Sequence, residues 1–244
     1  MAQEIFMETS EQFRRRVYPF AYHSIYLDDA GYFHTSGSLQ DKVDADGTLK
    51  SYVGNTTVLI FDCTCEPMHR AVQRMERMQE QLYAQCSPML AQKLQRNTLH
   101  MTLHDLLSGL PGQICPQELA AVGERARQVL ERWKQQPWTL RMRSTCMFNM
   151  VNTSIVLGLE PCTEEDCTQL MQCYQDLEQV VPLCRFLTPH VTLAYYKPGS
   201  YHGEVIENLQ HVLKASAGEE LTLEFCAQDL HYQTFSDMNH YEMG

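Results

Sequence analysis

The sequence predicts a mixed fold of helices and strands, organised as two related lobes that each give one strand to a central cleft. Segments with the apolar period of a strand alternate with segments that have the period of a helix. Two of the strands carry the same H-x-T-x pattern, at His100 and at His190, and each follows one helix and precedes another. A chain of 244 residues is long enough to bury the core of such a fold.

The first fifty residues form a loop-rich extension. They are rich in Gly, Asp and Ser, with short aromatic pieces between. We expect this segment to pack along the edge of a sheet, and a lid over the cleft is the alternative.

Strands and helices then follow in order. Residues 56–63 predict a buried strand, and residues 66–85 predict a helix with one buried stripe, Met68, Val72, Met75, Met78 and Leu82. Residues 115–136 predict a helix with Pro116 near its start, and Thr163 is the predicted N-cap of another, with Asp166 three residues on. The remaining predictions are strands over 98–104 and 190–196, a strand pair around a turn at Val151 and Asn152, a helix over 201–216, and one long or two short strands over 221–235.

The charge of the chain bears on its partners. The formal net charge is −11, whereas a protein that binds a long polyanion needs an extended basic surface. We therefore expect no long nucleic acid as a partner, but a few local cations can still hold one phosphate. We expect no membrane segment, because no apolar run approaches the roughly 20 residues that a spanning helix needs. The ten cysteines are expected to be reduced thiols in a cytoplasmic protein.

The two H-x-T-x segments carry the chemistry. Side chains alternate across a strand, so His100 shares a face with Thr102, and His190 shares a face with Thr192. Imidazole gives or takes a proton near neutral pH, and a threonine hydroxyl can donate to a phosphate oxygen. Two such strands facing each other would hold one phosphorus between two histidines, one acting as general base and the other as general acid.

The paired "HMTL" and "HVTL" resemble the two signature motifs of the 2H phosphoesterase superfamily, and "LTP" before the second motif adds to the likeness. "GNTTVLIFD" is similar to the first strand of a poorly characterised bacterial branch. The resemblance implies a bilobal α+β fold with two antiparallel sheets, flanked by helices around a central cleft. It implies His100 and His190 as the acid–base pair, and Thr102 and Thr192 as the hydroxyls that hold the phosphate.

Three further residues are expected near the site. Where RNA-ligase-like members of that superfamily often have Arg after the second motif, this chain has Tyr195, Tyr196 and Lys197. Strict alternation places Tyr196 on the face of His190, where it could stack on a base, although an aromatic closing the core is an equal alternative. Lys197 is a candidate phosphate cation. His104 shares the predicted face of His100, as a supporting residue or at a solvent-facing strand end.

The predicted function is hydrolysis of a small nucleotide or short oligonucleotide phosphodiester, with no cofactor and no metal, by a monomer that forms a single domain over 1–244. A 2′,3′-cyclic phosphate, a 2′-5′ linkage and a cyclic nucleotide all remain open as substrates. One alternative is a nucleotide-binding module without turnover. The other is a metal-dependent hydrolase that uses the histidines with Asp62 or Asp105.

Overall fold

The structure is a computed structural model, which describes residues 7–61, 65–183, 185–216 and 220–244. The described residues form five α-helices: α1 (Ser10–Tyr22), α2 (Glu66–Cys86), α3 (Pro116–Lys134), α4 (Glu164–Glu178) and α5 (Glu204–Ala215). They also form ten strands: β1 (Phe33–His34), β2 (Val53–Ile60), β3 (His100–Gly109), β4 (Thr139–Met150), β5 (Ser154–Pro161), β6 (His190–Tyr195), β7 (Ser200–Tyr201), β8 (Thr222–Cys226), β9 (Leu230–Asp237) and β10 (His240–Met243).

Eight of these strands lie in one antiparallel series, in the order β10-β9-β2-β3-β6-β5-β4-β8. The series has two halves of four strands, and β3 and β6 meet at the centre through the pair Met101 and Val191. Strands β1 and β7 form a separate two-stranded sheet. The predicted α+β fold of two antiparallel sheets flanked by helices is therefore confirmed, with each H-x-T-x strand at the inner edge of its own half.

One large apolar core joins the two halves. Buried residues of β3 and β6, such as Leu103 and Val191, belong to the same cluster as the stripe of α2. The predicted stripe Met68, Val72, Met75, Met78 and Leu82 is buried throughout. Helix α3 packs on β9, and α2 packs on α5 and on β6.

The N-terminal region contains a helix that the sequence analysis missed when it described residues 1–50 as loop-rich. Thr9 caps α1, and its hydroxyl accepts from the Gln12 backbone while the Gln12 side chain accepts from the Thr9 backbone. One face of the helix packs on β4 and β5 through a second small cluster, to which Phe13 and Val17 belong. The helix was not predicted because Pro19 and three consecutive arginines, Arg14 to Arg16, interrupt the apolar pattern in the sequence.

Other local predictions hold. Helix α3 begins at Pro116, and Thr163 caps α4 with Asp166 in the reciprocal position. The predicted turn between β4 and β5 has positive φ at both central residues, 43° at Val151 and 59° at Asn152. Over 221–235 the chain forms two strands rather than one long one, β8 and β9.

Among the described residues, none of the α-helices has the length and the apolar run that a membrane span needs. The eight cysteines that the described part of the chain contains are all free thiols, whereas Cys63 and Cys184 lie outside the described residues.

Candidate active site

The central strand pair brings the two motifs together. Strands β3 and β6 are antiparallel and register Met101 opposite Val191. Continuing that register places His100 opposite Thr192 and Thr102 opposite His190. Side chains at such cross-strand positions are close neighbours on one face of a sheet. All four line one cleft between the halves, with a volume of about 320 Å³.

Each histidine is anchored to the backbone two residues earlier. His190 Nδ1 lies 2.7 Å from the carbonyl oxygen of Thr188, and because a carbonyl only accepts, Nδ1 carries the hydrogen. His100 also makes a hydrogen bond to the backbone of Thr98. Each anchor fixes the orientation of its ring, and at His190 it leaves Nε2 as the nitrogen available for proton transfer.

The electrostatics of the cleft favour neutral rings in the free protein. Burial lowers the pKa of His100 to about 4, and a charge on His190 lowers this pKa further, while the Thr98 backbone and Asp105 oppose the shift. Burial also lowers the pKa of His190, against the opposing effects of the Thr188 backbone and Asp105. A bound phosphate would act like Asp105, because its negative charge favours the protonated ring.

A β-bulge follows each motif at the same place. In β3, Thr57 pairs with His104 but Val58 pairs with Thr102, so Leu103 is an extra residue. In β6, Ile155 pairs with Ala194 but Val156 pairs with Thr192, so Leu193 is an extra residue. An extra residue in one strand reverses which later side chains face each side. Strict alternation therefore fails beyond each threonine.

The bulges correct the predictions for Tyr196 and His104. Tyr196 is fully buried in the main core, with its ring centroid 5.2 Å from that of Phe33, and it does not line the cleft. His104 is also buried, and its Nε2 donates to the Val181 carbonyl oxygen over 2.8 Å. Tyr196 therefore takes the core-closing alternative in place of the cleft role, and His104 does not lie at a solvent-facing strand end.

Lys197 is also absent from the described lining of the cleft. Its backbone N–H donates to Met89, and its side chain lies near Gly47. Lys197 thus lies outside the described lining of the cleft, because the strand leaves the cleft face before reaching it.

The residues that the bulges turn into the cleft are Asp105 and Tyr195, one after each motif. Sequence reasoning missed both as cleft-facing residues, since a one-residue bulge leaves no mark in the apolar pattern. Asp105 is half exposed and pairs with Arg185, with the carboxylate and guanidinium 3.6 Å apart. Tyr195 donates its hydroxyl hydrogen to Met238 Sδ over 3.1 Å.

Two cations line the cleft, and neither was predicted. Lys42 Nζ lies 4.9 Å from the ring centroid of Tyr52 and 5.9 Å from that of Tyr195. Arg185 lies five residues before His190 and reaches the same cleft. Tyr241 also lines the cleft, and its ring centroid is 5.0 Å from that of His100.

Helix α1 supports the segment before the second motif. Arg16 donates to the Leu187 carbonyl oxygen over 3.1 Å and to the Thr188 hydroxyl over 3.3 Å. Its guanidinium also pairs with Glu8 and lies over the ring of Phe186. The N-terminal region thus contacts the chain that orients His190.

The residues of the alternative metal site are only partly described. Asp105 lies in the cleft, whereas Asp62 falls outside the described residues. Where the structure describes the chain, no three His, Cys, Asp or Glu side chains come together as a group that could hold a metal ion.

Known proteins resemble this chain in structure, whereas no sequence match was found. No known family profile and no curated protein matches the sequence. The fold is similar to that of a conserved protein of unknown function from Agrobacterium tumefaciens, with a TM-score of 0.59 and 19% identity over 86% of this chain and 92% of that chain.

Two more solved structures are similar at lower scores. LigT of Escherichia coli complexed with 3′-AMP has a TM-score of 0.48 and 12% identity, over 79% of this chain and 95% of that one. A protein of Thermus thermophilus has a TM-score of 0.48 and 11% identity, over 78% and 93%. The likeness to the Agrobacterium tumefaciens protein, at 19% identity, shows the fold.

Proposed function

We propose that this protein is a phosphoesterase that hydrolyses a phosphodiester of a small nucleotide or short oligonucleotide. The observation that carries the proposal is the shared cleft of His100, Thr102, His190 and Thr192, on two strands that meet at Met101 and Val191. Two imidazoles and two hydroxyls around one space are what acid–base cleavage of a phosphodiester requires.

In the proposed step, one neutral histidine takes a proton from water while the water oxygen bonds to phosphorus. The bond from phosphorus to the leaving oxygen breaks, and the other histidine, protonated, gives its proton to that oxygen. Thr102 and Thr192 donate to the non-bridging oxygens, which stabilises the charge that develops there. The two histidines exchange protonation states, and water resets them.

One ring of the pair acts as the base and the other as the acid. Because a positive charge on either ring opposes protonation of the other, the pair takes up one proton before the second. A bound phosphate would then raise the pKa of the protonated ring and keep it charged. The pair is expected to titrate as a unit and give a bell-shaped pH profile.

The cleft also supports a small anionic substrate. Its cations are Lys42 and Arg185, and its rings include Tyr52, Tyr195 and Phe235. A net charge of −11 disfavours a long nucleic acid, whereas two local cations suit one phosphate.

The test is turnover of a small panel, with and without EDTA. The panel contains a 2′,3′-cyclic mononucleotide, a 2′-5′-linked dinucleotide, a 3′-5′ cyclic nucleotide and a cyclic dinucleotide. The variants are His100→Ala and His190→Ala, with His211→Ala as a matched control because His211 is an exposed residue of α5.

We expect EDTA-insensitive cleavage of at least one substrate, lost by about a thousandfold in each motif variant and kept in His211→Ala. Cleavage that EDTA abolishes would replace the proposal by a metal-dependent hydrolase. Tight binding with no turnover by the wild type would replace it by a binding module.

A further inference from the structure

A second cavity adjoins the cleft at His100. It has a volume of about 700 Å³, and His100 lines both spaces. Arg96 and Asn97, just before β3, contribute one side of it, and His231 and Gln233 of β9 contribute another. The volume falls within the range of small-molecule sites in proteins.

Gln233, which lines this cavity, has a buried acceptor without a hydrogen-bond partner among the described residues. Its side chain is only 5% exposed, and its Oε1 accepts no hydrogen bond from any residue that the structure describes. Its Nε2 lies 3.7 Å from Met243 Sδ, so the amide is oriented by that contact. A buried acceptor without a donor destabilises the protein, and a ligand N–H at this position would remove that cost.

The charges of the cavity favour an uncharged ligand group over a second phosphate. The Arg96 guanidinium is 3.1 Å from the Glu76 carboxylate. Asp229 is buried and accepts from the Cys226 backbone N–H. Burial and the charge of Lys134 lower the pKa of His231, which is therefore neutral at pH 7. Apolar contacts are available from Phe61, Leu99 and Met243.

We propose that this cavity binds the nucleobase of a second nucleoside, on the His100 side of the scissile phosphate, with an exocyclic amino group donating to Gln233 Oε1. This inference rests on the proposed function and deepens it. The substrate is then a diester that joins two nucleosides, because a cyclic mononucleotide would leave the cavity unused.

The test compares Gln233→Leu with wild type on two substrates, a 2′-5′-linked adenylyl dinucleotide and 2′,3′-cyclic AMP. We expect the ratio of their kcat/KM values to fall at least tenfold, through a higher KM for the dinucleotide. Gln233→Glu keeps an acceptor at this position, so its ratio should lie closer to the wild-type ratio than that of Gln233→Leu does. Gln169→Leu is the matched control, because Gln169 Oε1 is also buried without a partner but lies in another cavity, beside α4.

Two additions keep the test decisive. Asn97→Trp fills the cavity from an exposed rim position and should lower the same ratio if Gln233→Leu fails to fold. A dinucleotide with purine in place of the adenine on the His100 side lacks the amino group, and it should lose affinity for wild type but not for Gln233→Leu.

The inference and the proposed function fail separately. If wild type cleaves nothing, calorimetric binding of the dinucleotide still decides the cavity: weaker binding by Gln233→Leu supports the site, and equal or no binding overturns it. If wild type cleaves the panel but Gln233→Leu leaves the ratio unchanged, the cavity proposal is wrong and the two-histidine mechanism stands.

Discussion

Arg16 donates a hydrogen bond to the Thr188 hydroxyl, and Thr188 in turn offers the carbonyl oxygen that orients His190. The helix that carries Arg16 is thereby linked to the segment that precedes the second motif. Arg16 is a positioning residue in this arrangement, since it contacts the chain before His190 rather than the cleft itself.

We expect Arg16→Met to lower kcat about tenfold with little change in KM, because a loosened Thr188 lets the His190 ring leave its productive orientation. One limb of the pH–rate profile should also shift to lower pH, because the Thr188 bond that raises the pKa of His190 is weakened, and a merely structural loss would not cause this shift.

Arg15→Met is the control for this prediction. Arg15 lies on the same helix and is exposed, paired only with Glu11 one turn away among the described residues. Equal losses in the two variants, or an Arg16→Met loss that tracks a lower melting temperature alone, would count against the positioning role.

Lys42 is predicted to bind the substrate phosphate. Lys42→Met should raise KM about tenfold, which corresponds to roughly 1.4 kcal/mol, and the difference from wild type should shrink at high salt. Lys197→Met provides a matched lysine outside the cleft and should change KM less than twofold. Steady-state kinetics at low and high salt test both, and a larger effect at Lys197 would refute the placement.

His100 should make the stability of the fold depend on pH. The unfolded ring takes up a proton below about 6.5, whereas burial keeps the folded ring neutral down to about 4. The stabilisation is therefore fully present above pH 6.5 and is lost as the pH falls towards 4.

Urea unfolding at pH 7.5 and 4.5 measures this effect. We expect the free energy of unfolding of wild type to fall by about 2 kcal/mol more than that of His100→Gln over this interval. His211→Gln, at an exposed position, should follow wild type. Parallel behaviour of wild type and His100→Gln would contradict the lowered pKa.

Tyr196 tests the bulge in β6. Its hydroxyl is buried without a hydrogen-bond partner in the described residues, so Tyr196→Phe should raise the free energy of unfolding by about 1 kcal/mol and leave kcat/KM unchanged. Tyr195→Ala should instead raise KM, because Lys42 then loses one of its two rings. A loss of activity in Tyr196→Phe would show that Tyr196 faces the substrate.

Much of the site could be predicted from the sequence because H-x-T-x is a short-range pattern. The period of a strand is enough to put His100 with Thr102 and His190 with Thr192 on shared faces. Helices were predicted where apolar residues recur every three or four positions, as in α2, whose apolar stripe is buried in the structure. Helix α1 was missed because a proline and three arginines obscured its apolar face.

The sequence by itself determined the two motifs, the alternation of strands and helices, and a charge unsuited to long polyanions. Only the tertiary structure decided which residues surround the histidines. The extra residues Leu103 and Leu193 are ordinary apolar residues in the sequence, but each is accommodated by pairing with a neighbouring strand that is distant along the chain. Because the pairing partner sets where a bulge lies, Asp105 and Tyr195 face the cleft while His104 and Tyr196 are buried.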